Sequence, residues 1–337
     1  MKTLNIDFLN TGLIILSFLL ACWLPFELFL LSYAILGPLH YFTEINWIRD
    51  KNYFVVNKLW IYLIIIAAFL ISIPALFQLP YLDQYQNNTA VQYIMRKLPL
   101  YFNAGLFLAI VAAIAFTVVK SKKHQYIVLS VGVLFAVLFH FFPFYHLIIG
   151  ILLPTVIHVY LFTLIFMWYG NLKSKSRIGY FNVILLAVIP FIIVFLSIST
   201  LSYSIKIDTQ RIYAENNFYI LNIKLAEVLG LSDGKPFAFN KLVDIKIQIF
   251  IAFAYTYHYL NWFSKTTVIG WHKKLSKKRS ITIILLWIFS VGLYFYNYKI
   301  GLIVLLFLSF LHVFMEFPLN IISIKAVGKS IFNPNKS

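Results

Sequence analysis

The chain has 337 residues, of which 61% are hydrophobic and only 12% charged, and a formal net charge of +17. The charged fraction is about half that of a soluble domain, and a single cysteine, Cys22, excludes both an internal disulfide and any cysteine-based zinc or iron–sulfur site within one chain. The positive balance does not describe a nucleic-acid surface, because Lys and Arg stand at the ends of long apolar runs, where orientation signals and contacts with anionic lipid belong.

Ten membrane spans are predicted, near residues 8–22, 25–45, 59–79, 98–119, 125–143, 145–169, 180–200, 245–263, 281–298 and 300–323. Each approaches the roughly 20 residues that a helix needs to cross a bilayer core. Helices are required because a backbone in lipid must satisfy its own hydrogen bonds. The runs are continuous rather than alternating, which argues against a β-barrel. The first run is expected to be a retained span rather than a cleaved signal peptide. Trp23, Pro25 and Glu27 separate it from the second, and Cys22 reads as a small packing residue. Residues 59–79, 98–119, 281–298 and 300–311 carry no charge at all.

The connecting segments orient the spans. Lys120, Lys122 and Lys123 follow span four, and Lys173, Lys175 and Arg177 follow span six. Lys265, Lys273, Lys274, Lys277, Lys278 and Arg279 follow span eight, and Lys325, Lys329 and Lys336 follow span ten. All are ends of even-numbered spans, so the positive-inside rule places them, and both termini, in the cytoplasm. On the other face, segments 80–97 and 201–241 have mixed charge, and 218–231 is predicted as a short amphipathic helix at the interface. No repeat, low-complexity tract or linker divides the sequence. The expected fold is an all-α polytopic transmembrane bundle forming a single integral-membrane domain, 1–337.

Ionisable groups at membrane depth are costly and by default mark function. Glu44 follows His40 by four residues in span two, and Glu316 follows His312 by four in span ten. Four residues advance a helix by about 400°, so each pair shares one face a turn apart. A neutral imidazole and a carboxylate so placed can ligate one metal, or the two pairs can hold two. His158 in span six and His258 in span eight add further imidazoles, and the orientation above brings them to similar depth. His140 and His146 flank Pro143 at the outer turn and are weaker candidates. His124 and His272 lie among lysines and read as solvated. The plain alternative for each membrane histidine is a hydrogen bond to a neighbouring helix. Two His-x-x-x-Glu motifs in separate spans would then have to arise by coincidence. Imidazole with carboxylate suits iron, zinc or manganese better than copper, and such a set with open positions is typical of non-haem iron oxygen chemistry.

At Gly37-Pro38-Leu39-His40, with Glu44 four residues on, the sequence resembles the bacterial Brp/Blh family of membrane β-carotene cleavage dioxygenases, in which histidines hold non-haem iron. Tyr41, Glu44 and Ile45 stand where that family has Gly, Asp and a second His, and 253–264 is loosely similar to its later aromatic, His-containing span. The resemblance implies a multi-pass protein of a bacterial inner membrane that uses Fe(II) and molecular oxygen on an apolar substrate dissolved in the bilayer.

The expected function is therefore a membrane-embedded iron oxygenase acting on a lipid or carotenoid-like molecule, extending to oxidative cleavage of β-carotene to retinal. His40, His158, His258 and His312 are the expected metal ligands, with Glu44 and Glu316 as further ligands or as acceptors that orient the imidazoles. Zinc fits the same donors. The alternative is a proton-coupled or metal-ion transporter, since intramembrane His/Glu chains also relay protons. Such transporters commonly show inverted repeats, and none is evident here.

Overall fold

A computed structural model describes residues 2–55, 57–200, 203–265 and 275–332. His272, Lys273, Lys274 and Lys336 lie outside them. Among the described residues the structure is helical, with no strand. We number the helices α1 (Lys2–Trp23), α2 (Pro25–Asp50), α3 (Leu59–Leu76), α4 (Thr89–Val118), α5 (Lys122–Phe139) and α6 (Pro143–Ser174). They continue as α7 (Arg177–Phe195), α8 (Ile207–Glu215), α9 (Tyr219–Val228), α10 (Leu242–Ser264), α11 (Lys277–Tyr296) and α12 (Tyr298–Phe332).

Nine of the ten expected spans correspond to helices long and apolar enough to cross a membrane. The tenth is α10, whose polar residues lower its hydropathy. At about 1.5 Å per residue, its 23 residues reach about 34 Å. Sixteen of them are buried, on every side of the helix, so α10 is an interior helix that can carry Gln248, Thr256, His258 and Asn261 without presenting them to lipid. The outer helices do the reverse. On α7, Phe181, Ile184, Phe191 and Phe195 are more than half exposed, as expected of side chains that face acyl chains. The chain is an integral, multi-pass membrane protein of all-α class.

Local chemistry sets the helix ends. Pro25 occupies the first turn of α2, where its missing N–H costs nothing. Asn88 caps α4 through the backbone N–H groups of Ala90 and Val91, and Ser176 caps α7 by accepting from Gly179 N at 3.2 Å. Lys175, at φ 53°, closes α6 in the left-handed conformation. Two helices change pitch inside the membrane. Ser32–Leu36 of α2 and His146–Phe162 of α6 are π-helical, the latter around Pro154.

The chain divides into two compact units, Met1–His40 with Thr155–Ser276 and Tyr41–Pro154 with Lys277–Ser337. The chain passes between them three times, inside α2, inside α6 and at Ser276–Lys277, where α11 begins. In the first unit α10 is the central helix and packs against α1, the first turns of α2, α7 and α9. The helix expected over 218–231 forms as α9, and a further short helix not expected from the sequence, α8, precedes it. Asn222 of α9 is buried and donates to Asp244 O at 3.2 Å, which docks α9 on α10. The Tyr213 hydroxyl of α8 stands 2.5 Å from Asn222 Oδ1 and 2.6 Å from Gln248 Oε1, and Gln248 Nε2 donates to Pro25 O at 3.1 Å. In the second unit α12 is central and packs against α3, α4 and α11. Lipid is as apolar as leucine, so these contacts draw on close packing and on such polar links rather than on expulsion of water.

Candidate metal centre

In the first unit, α2, α6 and α10 each contribute one histidine. His40, His158 and His258 are all buried. His258 Nε2 lies 3.1 Å from His40 Nε2, and the two rings meet edge to face. The His158 ring packs against His258 with centroids 5.1 Å apart. On its other side, His258 Nδ1 stands 2.8 Å from Thr163 Oγ1, while Thr163 donates its one proton to Val159 O at 2.8 Å. Thr163 therefore accepts from His258 Nδ1–H, and the lone pair of His258 is left on Nε2, facing His40. Tyr259 and Trp262, both buried, close over His40 with ring centroids 5.3 and 5.6 Å away.

The second unit holds the carboxylates. Glu44 of α2 and His312 and Glu316 of α12 are buried. A carboxylate oxygen of Glu44 and a ring nitrogen of His312 lie within 4.8 Å of each other. Tyr41 stacks on the His312 ring, with centroids 4.1 Å apart and planes 25° from parallel. Asn320, one turn beyond Glu316, is also buried. His312, Glu316 and Asn320 thus form a polar stripe along one face of α12. His40 closes the first unit and Glu44 stands in the second, four residues apart on one uninterrupted helix.

His140 and His146 belong to the second unit, and the His146 ring is engaged by its neighbours. His146 Nδ1 accepts from Asn103 Nδ2 at 2.5 Å, and its Nε2–H donates to His140 O at 2.7 Å. Both ring nitrogens are spent on tying the α5–α6 turn to α4. Gly150 permits this, since a Cβ there would stand 2.2 Å from Asn103 Oδ1. His124 is exposed at the start of α5.

Sequence reasoning passes over Thr163 and Asn320. A threonine within an apolar helix gives no signal of its own until α10 is placed beside it. Asn320 is detectable only as the next residue in the i, i+4 series from His312.

The donors suit a divalent transition metal. Two nitrogens each about 2.1 Å from one ion lie about 3.1 Å apart when they subtend about 95° there, so the His40–His258 spacing fits adjacent ligands. The hydrogen bond from His258 to Thr163 is the kind that fixes the tautomer of a ligating imidazole. No protein-family model matches the chain, and no curated protein and no solved structure matches it either.

Proposed function

We propose that the protein is a membrane-embedded non-haem iron oxygenase acting on an apolar lipid or carotenoid-like substrate, with cleavage of β-carotene to retinal as the first reaction to assay. The supporting observation is the His40–His258 pair: two buried imidazole Nε2 atoms face each other, and Thr163 holds one in the form that can bind a metal. Iron(II) held by His40 and His258, beside His158, would supply oxygen activation. In the second unit, His312, Glu44 and Glu316 supply an imidazole and two carboxylates of the kind that ligate a metal or orient its imidazoles.

The remaining work falls to the chain itself. Thr163 keeps the His258 lone pair directed at His40. Tyr259 and Trp262 exclude water from the imidazoles, which strengthens every polar interaction among them. An apolar substrate also needs an apolar chamber. The second unit contains a cavity of about 520 Å³ between α3, α4 and α5, walled by Leu63, Leu70, Phe102, Gly105, Leu108 and Val133. That volume lies in the range of small-molecule pockets. A bacterial inner membrane as the location belongs to the same proposal.

Elemental analysis of the detergent-purified protein tests it. Near-stoichiometric iron is expected in the parent and not in a His40→Ala, His258→Ala double variant. Zinc in place of iron would turn the reading toward hydrolytic chemistry. No metal after supplementation with both would overturn it and favour the transporter, to be assayed as proton or metal flux in proteoliposomes.

A further inference from the structure

The first unit contains a second polar site that the metal chemistry does not use. It is a pocket of about 120 Å³ bounded by Asp7 and Asn10 of α1, Gly170, Asn171 and Ser174 of α6, Gly179 and Asn182 of α7, and Lys265 just after α10. That volume has room for several waters. Asn10, Asn171 and Asn182 are each less than a twentieth exposed.

Most of this polarity is satisfied internally. Asn182 Nδ2 donates to Asp7 O at 2.7 Å, and its Oδ1 accepts from Thr11 at 2.6 Å. Asn10 Oδ1 accepts from Ser264 at 2.9 Å. Two buried atoms are left over: the acceptor Asp7 Oδ2 and the donor Asn171 Nδ2 have no hydrogen-bond partner among the described residues. Asn171 Oδ1 accepts from Ser174 at 3.1 Å and lies over the first turn of α7, where a Cβ on Gly179 would stand 2.1 Å from it. Gly179 therefore fixes the amide so that its N–H₂ side remains for the pocket. The Lys265 ammonium stands 5.1 Å from the centre of the Phe166 ring, and no carboxylate among the described residues forms an ion pair with it. Burial lowers its pKa to about 8, partly offset by the charge of Asp7.

An unsatisfied carboxylate oxygen, an unsatisfied amide N–H and an ammonium on one small pocket select against simple ions. A lone cation would leave Lys265 facing like charge, and a lone anion would do the same to Asp7. A zwitterion satisfies all three. Position narrows the class further. The pocket lies where α1 begins, α6 ends, α7 begins and α10 ends, which is the end of these helices that the lysine distribution assigns to the cytoplasmic surface, at headgroup depth. We propose that the pocket binds a primary-ammonium phosphate group, the headgroup of an aminophospholipid, with the ammonium on Asp7 and the phosphate on Lys265 and Asn171.

Native mass spectrometry of the delipidated full chain tests this, with short-chain phosphatidylethanolamine, phosphatidylglycerol, phosphatidylcholine and soluble O-phosphoethanolamine as probes. Phosphatidylethanolamine is expected to bind about tenfold more tightly than the other two lipids, as loss of a charge-assisted hydrogen bond implies. Gly170 lines the pocket and a Cβ built on it meets no heavy atom within 4 Å, so Gly170→Leu adds bulk at the pocket's edge without a clash at Cβ. It should abolish the preference while helical content stays unchanged. Asp7→Asn should remove discrimination against phosphatidylglycerol, and Lys265→Met should weaken binding of all phosphate-bearing probes. Equal binding by O-phosphoethanolamine would support the same chemistry with a free solute as its source. Phosphatidylglycerol bound as tightly as phosphatidylethanolamine by the parent, or the preference surviving in Gly170→Leu, would overturn the proposal.

Discussion

Thr163 offers a test of the metal site that leaves every proposed ligand in place. Thr163→Val keeps the shape of the side chain but removes the acceptor for His258 Nδ1–H. Metal affinity should fall about 10–100-fold, measured by competition with a chelator, and Thr163→Ser should restore most of it. If Thr163→Val leaves affinity unchanged, the His258 tautomer is not set there. At this scale the sequence was legible where chemistry is unusual for its surroundings. His40, His158, His258, His312, Glu44 and Glu316 were visible because charge and imidazole are rare at membrane depth, and all six are buried. His140 and His146 were visible for the same reason, but sequence cannot show that Asn103 and a carbonyl use both nitrogens of His146. The unsatisfied amide of Asn171 was not legible either, because it depends on which helix end lies opposite.

Helices in lipid pack by close approach, so small residues at contacts matter more than their hydrophobicity suggests. Gly301 of α12 is one such residue. A Cβ there would stand 2.7 Å from the Tyr294 ring and 3.0 Å from the Tyr294 Cα. Backbone cannot yield as a side-chain tip can. Gly301→Ala should therefore destabilise the α11–α12 hairpin by about 1–3 kcal/mol, read as an earlier thermal transition in detergent. Gly12→Ala, where a Cβ meets nothing within 4 Å, is the control and should be close to neutral. Hydropathy located most helices to within a few residues, because an uncharged apolar run long enough to cross a bilayer core is seldom anything but a span. The span expected at 245–263 matches α10 to within three residues, although its polar side chains keep its hydropathy below that of the other spans. That helix is shielded by its neighbours, so its sequence is free of the demand that lipid makes on α7 or α11.

For the whole molecule, the count of crossings decides where the ends lie. If α10 crosses, there are ten spans and both termini share the cytoplasmic side. If it does not, the termini lie on opposite sides. With Cys22 replaced by Ala, single cysteines at Lys123 and Lys329 should resist a membrane-impermeant maleimide applied to intact cells, while one at Tyr81 should react. Labelling at Lys329 but not Lys123 would remove α10 from the spans. The division into two units was not legible, because two of its three crossings, at His40–Tyr41 and Pro154–Thr155, lie within helices and without a change of composition.

The π-turn at Ser32–Leu36 lies just ahead of His40 and Glu44. A turn of this kind holds one residue more than the α-helix around it. If these five residues closed into regular α-helix with none removed, everything from Gly37 onward would rotate by up to about 100° relative to Pro25–Leu31. His40 would then swing away from His258, although no side chain in contact with either had been altered. Five residues outside the ligand set thus fix the aim of the helix through the width of their turn.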